Sequence, residues 1–315
     1  MMHRETTIVA VPRRTCVNAT LLTSLFKQRV VLRGNIGDGA YSTVVDCSLE
    51  GGARLALKIM STEVFDHRPT CKEVQIYMQK GKGEGDWIDE IHEFLRELTY
   101  ARYMGREGIG PRVHMSTLLL EMCQYNKQRV RSATVILAMD MLLPVSLNAS
   151  LEPEMLALLH KMANRKIVCL DIKPAHFMRT RQGALRCIDF GSYWCRRRLP
   201  GNTRFGKESR RAMVILMAAQ VFLHTIMYSK ENVFTGWLYE ALRNHPEAWD
   251  EARKVYTHSF VDPIPTTYFK ESGEYIWNNL TSLLQDTEVR DNKLVTPNGK
   301  PLERTQLQFI IMGDV

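Results

Sequence analysis

Apolar residues at Ile88, Ile91, Phe94, Leu95, Leu98, Ala101 and Tyr103/Met104 recur at helical spacing, and this stripe predicts an amphipathic helix. Gly105, Gly108, Gly110 and Pro111 stop it. Before the stripe, "VVLRGNIGDGAYSTVVDCSLEGGARLALKIM" is rich in β-branched residues and glycine, which predicts three strands. Their turns fall at the glycine loop and at Glu50-Gly51-Gly52. "QKGKGEGD" reads as a loop. After the stripe, "TLLLEMC" and "ATVILAMDMLL" return to strand character, and Pro144 ends the second. "EPEMLALLHKMANR" is helical again, with Glu152 and Glu154 in its first turn and Lys161 to Lys166 at its end, which suits the helix dipole. Beyond Phe190 the pattern is mostly helical, interrupted near Pro246, with a turn at Asn298-Gly299. Strands first and helices later predict an α+β protein of two lobes with a hinge near Asp140 to Leu143. The expected division is an extension at 1–24, a β-rich lobe at 25–142 and a helical lobe with a tail at 143–315.

Composition narrows the class. The 315 residues are 45% hydrophobic, enough for a sizeable core and against global disorder. The net charge of +8 favours acidic partners without specifying a fold. Seven cysteines, an odd number with no C-x-x-C pair, argue against a disulfide framework or zinc knuckle and for a reducing compartment, cytoplasmic or nuclear. The first fifteen residues lack the apolar core of a signal peptide. "AMVILMAAQVFLHTIMY" approaches membrane length, but Gln220 and His224 interrupt it, so a buried core helix is expected and no membrane partner.

Candidate chemistry comes from five places in the chain. Gly37, Gly39 and Ser42 form G-x-G-x-x-S between two expected strands; glycines there let backbone approach phosphate oxygens. A lone pattern of this kind is commonly a hairpin turn. Lys58 lies in the strand "LALKIM" just downstream, where its ammonium can reach bound phosphates. It needs a carboxylate partner: Glu97 within the stripe, with Glu93 and Glu73 as alternatives. "IVCLDIKPAHFM" places Asp171 and Lys173 on a turn after a short apolar strand, and "LRCIDFGSYW" places Asp189 on another. Asp171 can take a proton from an attacking hydroxyl, Lys173 can neutralise a transferred phosphoryl group, and Asp189 suits a hard cation such as Mg²⁺.

Taken in this order, the motifs resemble the eukaryotic-type protein kinase superfamily. "GDGAYSTV" looks like the glycine-rich loop, "LALKIM" like the V-A-I-K strand, "CLDIKPAHF" like the catalytic loop, and "DFG" is present at Asp189 to Gly191. The resemblance spans about residues 30 to 228. It implies a bilobal fold with ATP and Mg²⁺ as cofactors and a protein serine or threonine hydroxyl as acceptor. Gly37, Gly39, Ser42, Val44 and Lys58 would then hold nucleotide, with Met139 as gatekeeper and Asp140 to Leu142 along the adenine.

The departures set further expectations. Cys169 and Leu170 replace the catalytic-loop His and Arg, so control by a phosphate between Gly191 and Ala212 is not expected. No A-P-E motif follows. His176 stands where the family has a metal-binding asparagine and so joins Asp189 as a metal-site candidate by resemblance; it either hydrogen-bonds Asp171 and orients it, leaving a single metal on Asp189, or cripples metal binding and makes the protein a pseudokinase, or merely closes the turn. The basic run Arg196 to Arg211 favours an acidic or phosphorylated protein substrate, and nucleic acid is not indicated. The rival readings are a pseudokinase scaffold and a small-molecule kinase.

Overall fold

Val45, Cys47, Leu55, Leu57, Ile59, Ile136 and Ala138 occupy alternate positions on neighbouring strands, so the two-residue period puts them on one face of a sheet. The computed structural model in which they are seen describes residues 8–10, 15–39, 42–64, 86–125, 128–146, 148–191, 193–195, 207–228, 232–259, 266–291 and 293–312. It is a mixed α+β protein, with antiparallel sheet in its N-terminal part and eight helices among the described residues.

The chain divides into two units, Met1–Leu143 with Arg179–Gly191, and Pro144–Met178 with Ser192–Val315. The first begins with β1 (Ile8–Ala10) and β2 (Thr15–Val17), which pair antiparallel, and α1 (Ala19–Phe26), capped by the Asn18 side chain on the Leu21 N–H at 2.8 Å. Then come β3 (Val30–Gly39), β4 (Ser42–Leu49), β5 (Arg54–Val64), α2 (Asp86–Arg106), β6 (Val113–Tyr125) and β7 (Gln128–Asp140). The last five strands form one antiparallel sheet in the order β3-β4-β5-β7-β6. Val17 of β2 and Leu22 of α1 are fully buried in the cluster on its Leu57–Ile59 face. The segment expected to be an extension therefore supplies core. Lys58, between Leu57 and Ile59, points to the opposite face, toward α2.

Residues 179–191 join this unit rather than the helical part, where the sequence places them. The Cys187 N–H donates to Ile109 O at 2.8 Å, just past α2. β10 (Phe177–Arg179) and β11 (Leu185–Cys187) flank a turn in which Gly183 takes a φ of 87°, the conformation glycine tolerates best.

In the second unit β8 (Leu143–Pro144) precedes α3 (Glu152–Asn164), and Lys166 at φ 61° reverses the chain into β9 (Ile167–Cys169). β9 pairs with β12 (Tyr193–Cys195), Tyr193 opposite Cys169. α4 (Lys207–Tyr228) is the apolar helix of the sequence. It is long and apolar enough to cross a membrane, yet 72% of that stretch is buried inside the protein. α5 (Thr235–Asn244) and α6 (Pro246–Ser259) pack on it, and α7 (Thr266–Gln285) packs on those two, with Trp277 fully buried against Trp249 and Tyr256. β13 (Glu288–Arg290) and β14 (Lys293–Val295) form a hairpin that turns at Asp291. The expected turn at Asn298-Gly299 instead closes a single bridge from Val295 to Pro301.

The last helix, α8 (Arg304–Met312), has a definite task. The final turn of α4 leaves carbonyls without helical partners. Arg304 donates to Ile226 O at 3.0 Å and also to Met227 O, and Gln308 Nε2 donates to both at 3.1 and 3.2 Å. Replacing Arg304 and Gln308 together by alanine is expected to lower unfolding free energy by about 1–3 kcal/mol, read from the urea midpoint.

Candidate functional site

The first unit gathers three sequence-selected residues at one point. Lys58 Nζ lies 2.5 Å from Glu97 Oε1 and 3.1 Å from Asp189 Oδ1, and these partners are 39 and 131 residues away in the chain. Glu97 sits on the buried stripe of α2 with Phe94, Ala101 and Met104, a carboxylate where the pattern calls for an apolar side chain. Burial alone would depress the Lys58 ammonium, but Glu97 and Asp189 outweigh it and hold its pKa above the ordinary value. Burial pushes the Glu97 carboxyl up, against the pull of Lys58, and the Asp189 charge adds to the rise. The side chain of Glu93, and all of Glu73, lie outside the described residues.

Asp189 is set by its neighbours. Its φ of 64° is left-handed, a conformation that aspartate tolerates better than bulky residues do. Phe190 beside it is buried, and its N–H donates to Glu97. Arg96 Nη1 donates to Gly191 O at 3.3 Å, so adjacent residues of α2 hold both sides of the turn. Gly110 faces the Phe190 ring so closely that a Cβ there would lie 2.5 Å from Phe190 Cζ. The Asp189 side chain itself is half-exposed.

The glycine loop is the hairpin between β3 and β4, with Gly39 opposite Ser42 and Gly37 opposite Val44. Asn35 organises it: its Oδ1 accepts from the Gly37 N–H at 3.0 Å and its Nδ2 donates to Asp38 at 2.8 Å. Residues 40 and 41 are outside the described set. Met139 and Leu142 are buried. The Asp140 N–H donates to Arg112 O at 3.0 Å, and its carboxylate accepts from the Arg112 N–H at 3.2 Å and meets His114 Nε2 at 2.6 Å.

The second unit holds the other candidates. After β9, Lys173 Nζ lies 2.8 Å from Asp171 Oδ2, both partly exposed. A 3₁₀ turn, Pro174–His176, follows and buries the His176 side chain. Two residues that the sequence reading took only as breaks in an apolar run belong here. Gln220 Nε2 donates to Cys169 O at 3.1 Å, bracing β9 two residues before Asp171. His224, one helical turn on, has its pKa lowered by burial and then by Lys173, with Asp171 opposing. Their i, i+4 spacing was the available signal. Of the segment between Gly191 and Ala212, Ser209 is buried and Oγ lies 3.4 Å from Glu251, while residues 196–206 lie outside the described set.

No family model matches the chain, and no curated protein matches it.

The donor set bears on the expected cofactors. Among the described residues no group of three or more His, Cys, Asp or Glu side chains can hold a metal ion by itself. Mg²⁺ does not need one: it binds through one or two carboxylates, with phosphate oxygens and water completing the shell. The half-exposed oxygen donor Asp189, beside an ammonium that suits phosphate, fits that mode. The buried imidazole of His176 is a poor donor for so hard an ion.

Proposed function

We propose that the chain is a bilobal protein kinase of the serine/threonine type, which transfers the γ-phosphoryl group of ATP to a protein hydroxyl. The observation that carries this reading is the Lys58 ammonium joined at once to Glu97 of α2 and to Asp189 of the D-F-G turn. A buried lysine fixed by two carboxylates is an expensive arrangement for stability alone, and it suits a phosphate-orienting role.

Bound Mg²⁺–ATP supplies the phosphoryl group and offsets charge on it. The chain's residues do the rest. Lys58, kept charged and immobile, orients phosphate oxygens. Gly37 and Gly39 bring backbone close to them, and Asp189 is the metal-holding carboxylate. Asp171 positions the acceptor hydroxyl and takes its proton, while Lys173 offsets negative charge on the group in transit. His176 serves the turn and not the metal. The net charge of +8 favours acidic or phosphorylated protein segments as acceptors.

Radiolabelled ATP and an acidic peptide library test this. Asp171→Asn is expected to lower transfer by about 10²–10⁴-fold. It should barely move the melting temperature, because an exposed ion pair contributes about 0–1 kcal/mol. ATP that raises the melting temperature of the unaltered chain without transfer to any peptide identifies a nucleotide-binding scaffold instead. Transfer to a small molecule alone identifies the third reading, and neither stabilisation nor transfer overturns the proposal.

A further inference from the structure

Asp38 stands between the two glycines of the loop and is the one acidic residue from 34 to 45. A free carboxylate there would repel the triphosphate assigned to Gly37 and Gly39. The strand register sends it the other way. Asp38 pairs with Thr43 and Thr43 with Ile59, whereas Gly37 pairs with Val44 and Val44 with Lys58. Directly opposed residues share a face, so Asp38 and Thr43 lie on the Ile59 side of the sheet and Lys58 on the other. Two contacts hold the carboxylate there. The hydroxyl of buried Thr43 donates to Asp38 Oδ1 at 3.2 Å, and Asn35 Nδ2 donates to both carboxylate oxygens at 2.8 Å. Asn35 and Asp38 are three positions apart and would face opposite ways in a regular strand. The irregularity between Asn35 and Gly37 corrects this. It sets Asn35 opposite Val45 and Asp38 opposite Thr43, two positions of β4 with a common face.

We propose that Asn35 and Thr43 are positioning residues that tether the Asp38 carboxylate to the face of the hairpin away from Lys58, and so set the affinity of the glycine loop for the nucleotide triphosphate. The proposal rests on the kinase reading for the identity of that anion. Hydrogen bonds to an ionised acceptor are stronger than those between neutral groups, which suits the Asn35 amide and the Thr43 hydroxyl to the task. Asn35 also accepts from the Gly37 N–H at 3.0 Å, so one side chain fixes the backbone and the carboxylate together. Once released, the carboxylate can turn about its Cα–Cβ bond toward the phosphate side and oppose the incoming charge. Stiffening of the hairpin alone would need no charge at position 38, and this difference separates the two roles.

Calorimetric titration of the full chain with Mg²⁺–ATP tests this through a double-mutant cycle. Thr43→Val keeps the buried volume and removes the donor. With aspartate at position 38 it is expected to weaken ATP binding about fivefold, the scale of one close like-charge contact in water. Added to Asp38→Asn, the same change is expected to cost less than about twofold, because no charge is left to release. The loss should also shrink between about 0.1 M and about 1 M salt, where the screening length falls from about 10 Å to about 3 Å. Asn35→Ala, at an exposed position, is put through the same cycle and decides the matter should Thr43→Val fail to fold. An equal loss with aspartate or asparagine at 38 makes the contacts mere packing and overturns the proposal. So does a loss that salt leaves undiminished, or no loss at all, in an unaltered chain that binds ATP; the kinase reading survives these three results. An unaltered chain that binds no ATP overturns both. The expected pattern in a chain that binds ATP but transfers no phosphate sinks the kinase reading and upholds the tether.

Discussion

Lys58→Met is expected to abolish most phosphoryl transfer, by about 10²–10³-fold, the usual cost of removing one preorganised electrostatic contact to a reacting group. It should also destabilise the fold, and in a pH-dependent way. Glu97 is buried, and its partner at 2.5 Å would be gone. Stranding one member of a buried pair costs about 3–5 kcal/mol. Glu97 can avoid part of that by taking a proton. Its folded pKa is already raised by burial and by Asp189, and losing Lys58 removes the opposing pull. A raised folded pKa means stability that is present below the unfolded value and lost as pH rises through the folded one. The variant should therefore approach the parent in urea midpoint near pH 4, around the ordinary glutamate pKa, and fall away from it toward neutrality. Lys58→Met with Glu97→Leu should regain the stability, because a buried pair replaced on both sides by apolar groups is often neutral or better. It should regain no transfer. A double variant as inactive as the single one but as stable as the parent separates the role of this ion pair in chemistry from its role in folding. A single variant that keeps parental transfer removes the observation on which the functional proposal stands.

Much of this site was readable because its residues break local patterns. Lys58 interrupts an apolar strand, and Glu97 interrupts an apolar helical stripe; each anomaly costs free energy unless answered, and each answers the other. Asp189 stood out through the Phe190 and Gly191 that follow it. What escaped the sequence was decided by tertiary contact. Nothing local says that Cys187 will bond the backbone of Ile109 and so carry Asp189 into the first unit. Val17 and Leu22 looked like an appendage because their burial depends on strands that come later in the chain. Gln220 and His224 registered as defects in an apolar helix, although their four-residue spacing puts them on one face, where Gln220 meets the Cys169 carbonyl. α8 carried no motif, since two side chains capping another helix's carbonyls leave no trace in their own pattern.

Gly110→Ala is the second change expected to have a large effect, and it acts without touching any charged group. The sequence offers Gly110 only as a helix stop. In the fold its missing side chain makes room for Phe190: an added methyl would stand 2.5 Å from Cζ, 3.2 Å from Cε2 and 3.3 Å from the Cys187 carbonyl. One neighbour is a buried ring and another is backbone, so neither yields cheaply. Overpacking of this kind costs about 1–3 kcal/mol. The ring can move only by shifting residue 190, whose N–H bonds Glu97 and whose predecessor is Asp189. Transfer should fall by up to about 10²-fold, the scale on which a 1 Å displacement of a catalytic group is felt. Gly108→Ala provides the comparison. Gly108 takes a φ of 64°, so alanine there is strained and costs about 1 kcal/mol through the backbone alone. The two variants should melt below the parent, but only Gly110→Ala should lose most of its transfer, and Phe190→Leu added to it should restore part of both. Equal transfer by the Gly108 and Gly110 variants would mean that Asp189 keeps its place without the Phe190 ring, leaving Lys58 and Glu97 as the groups that position it.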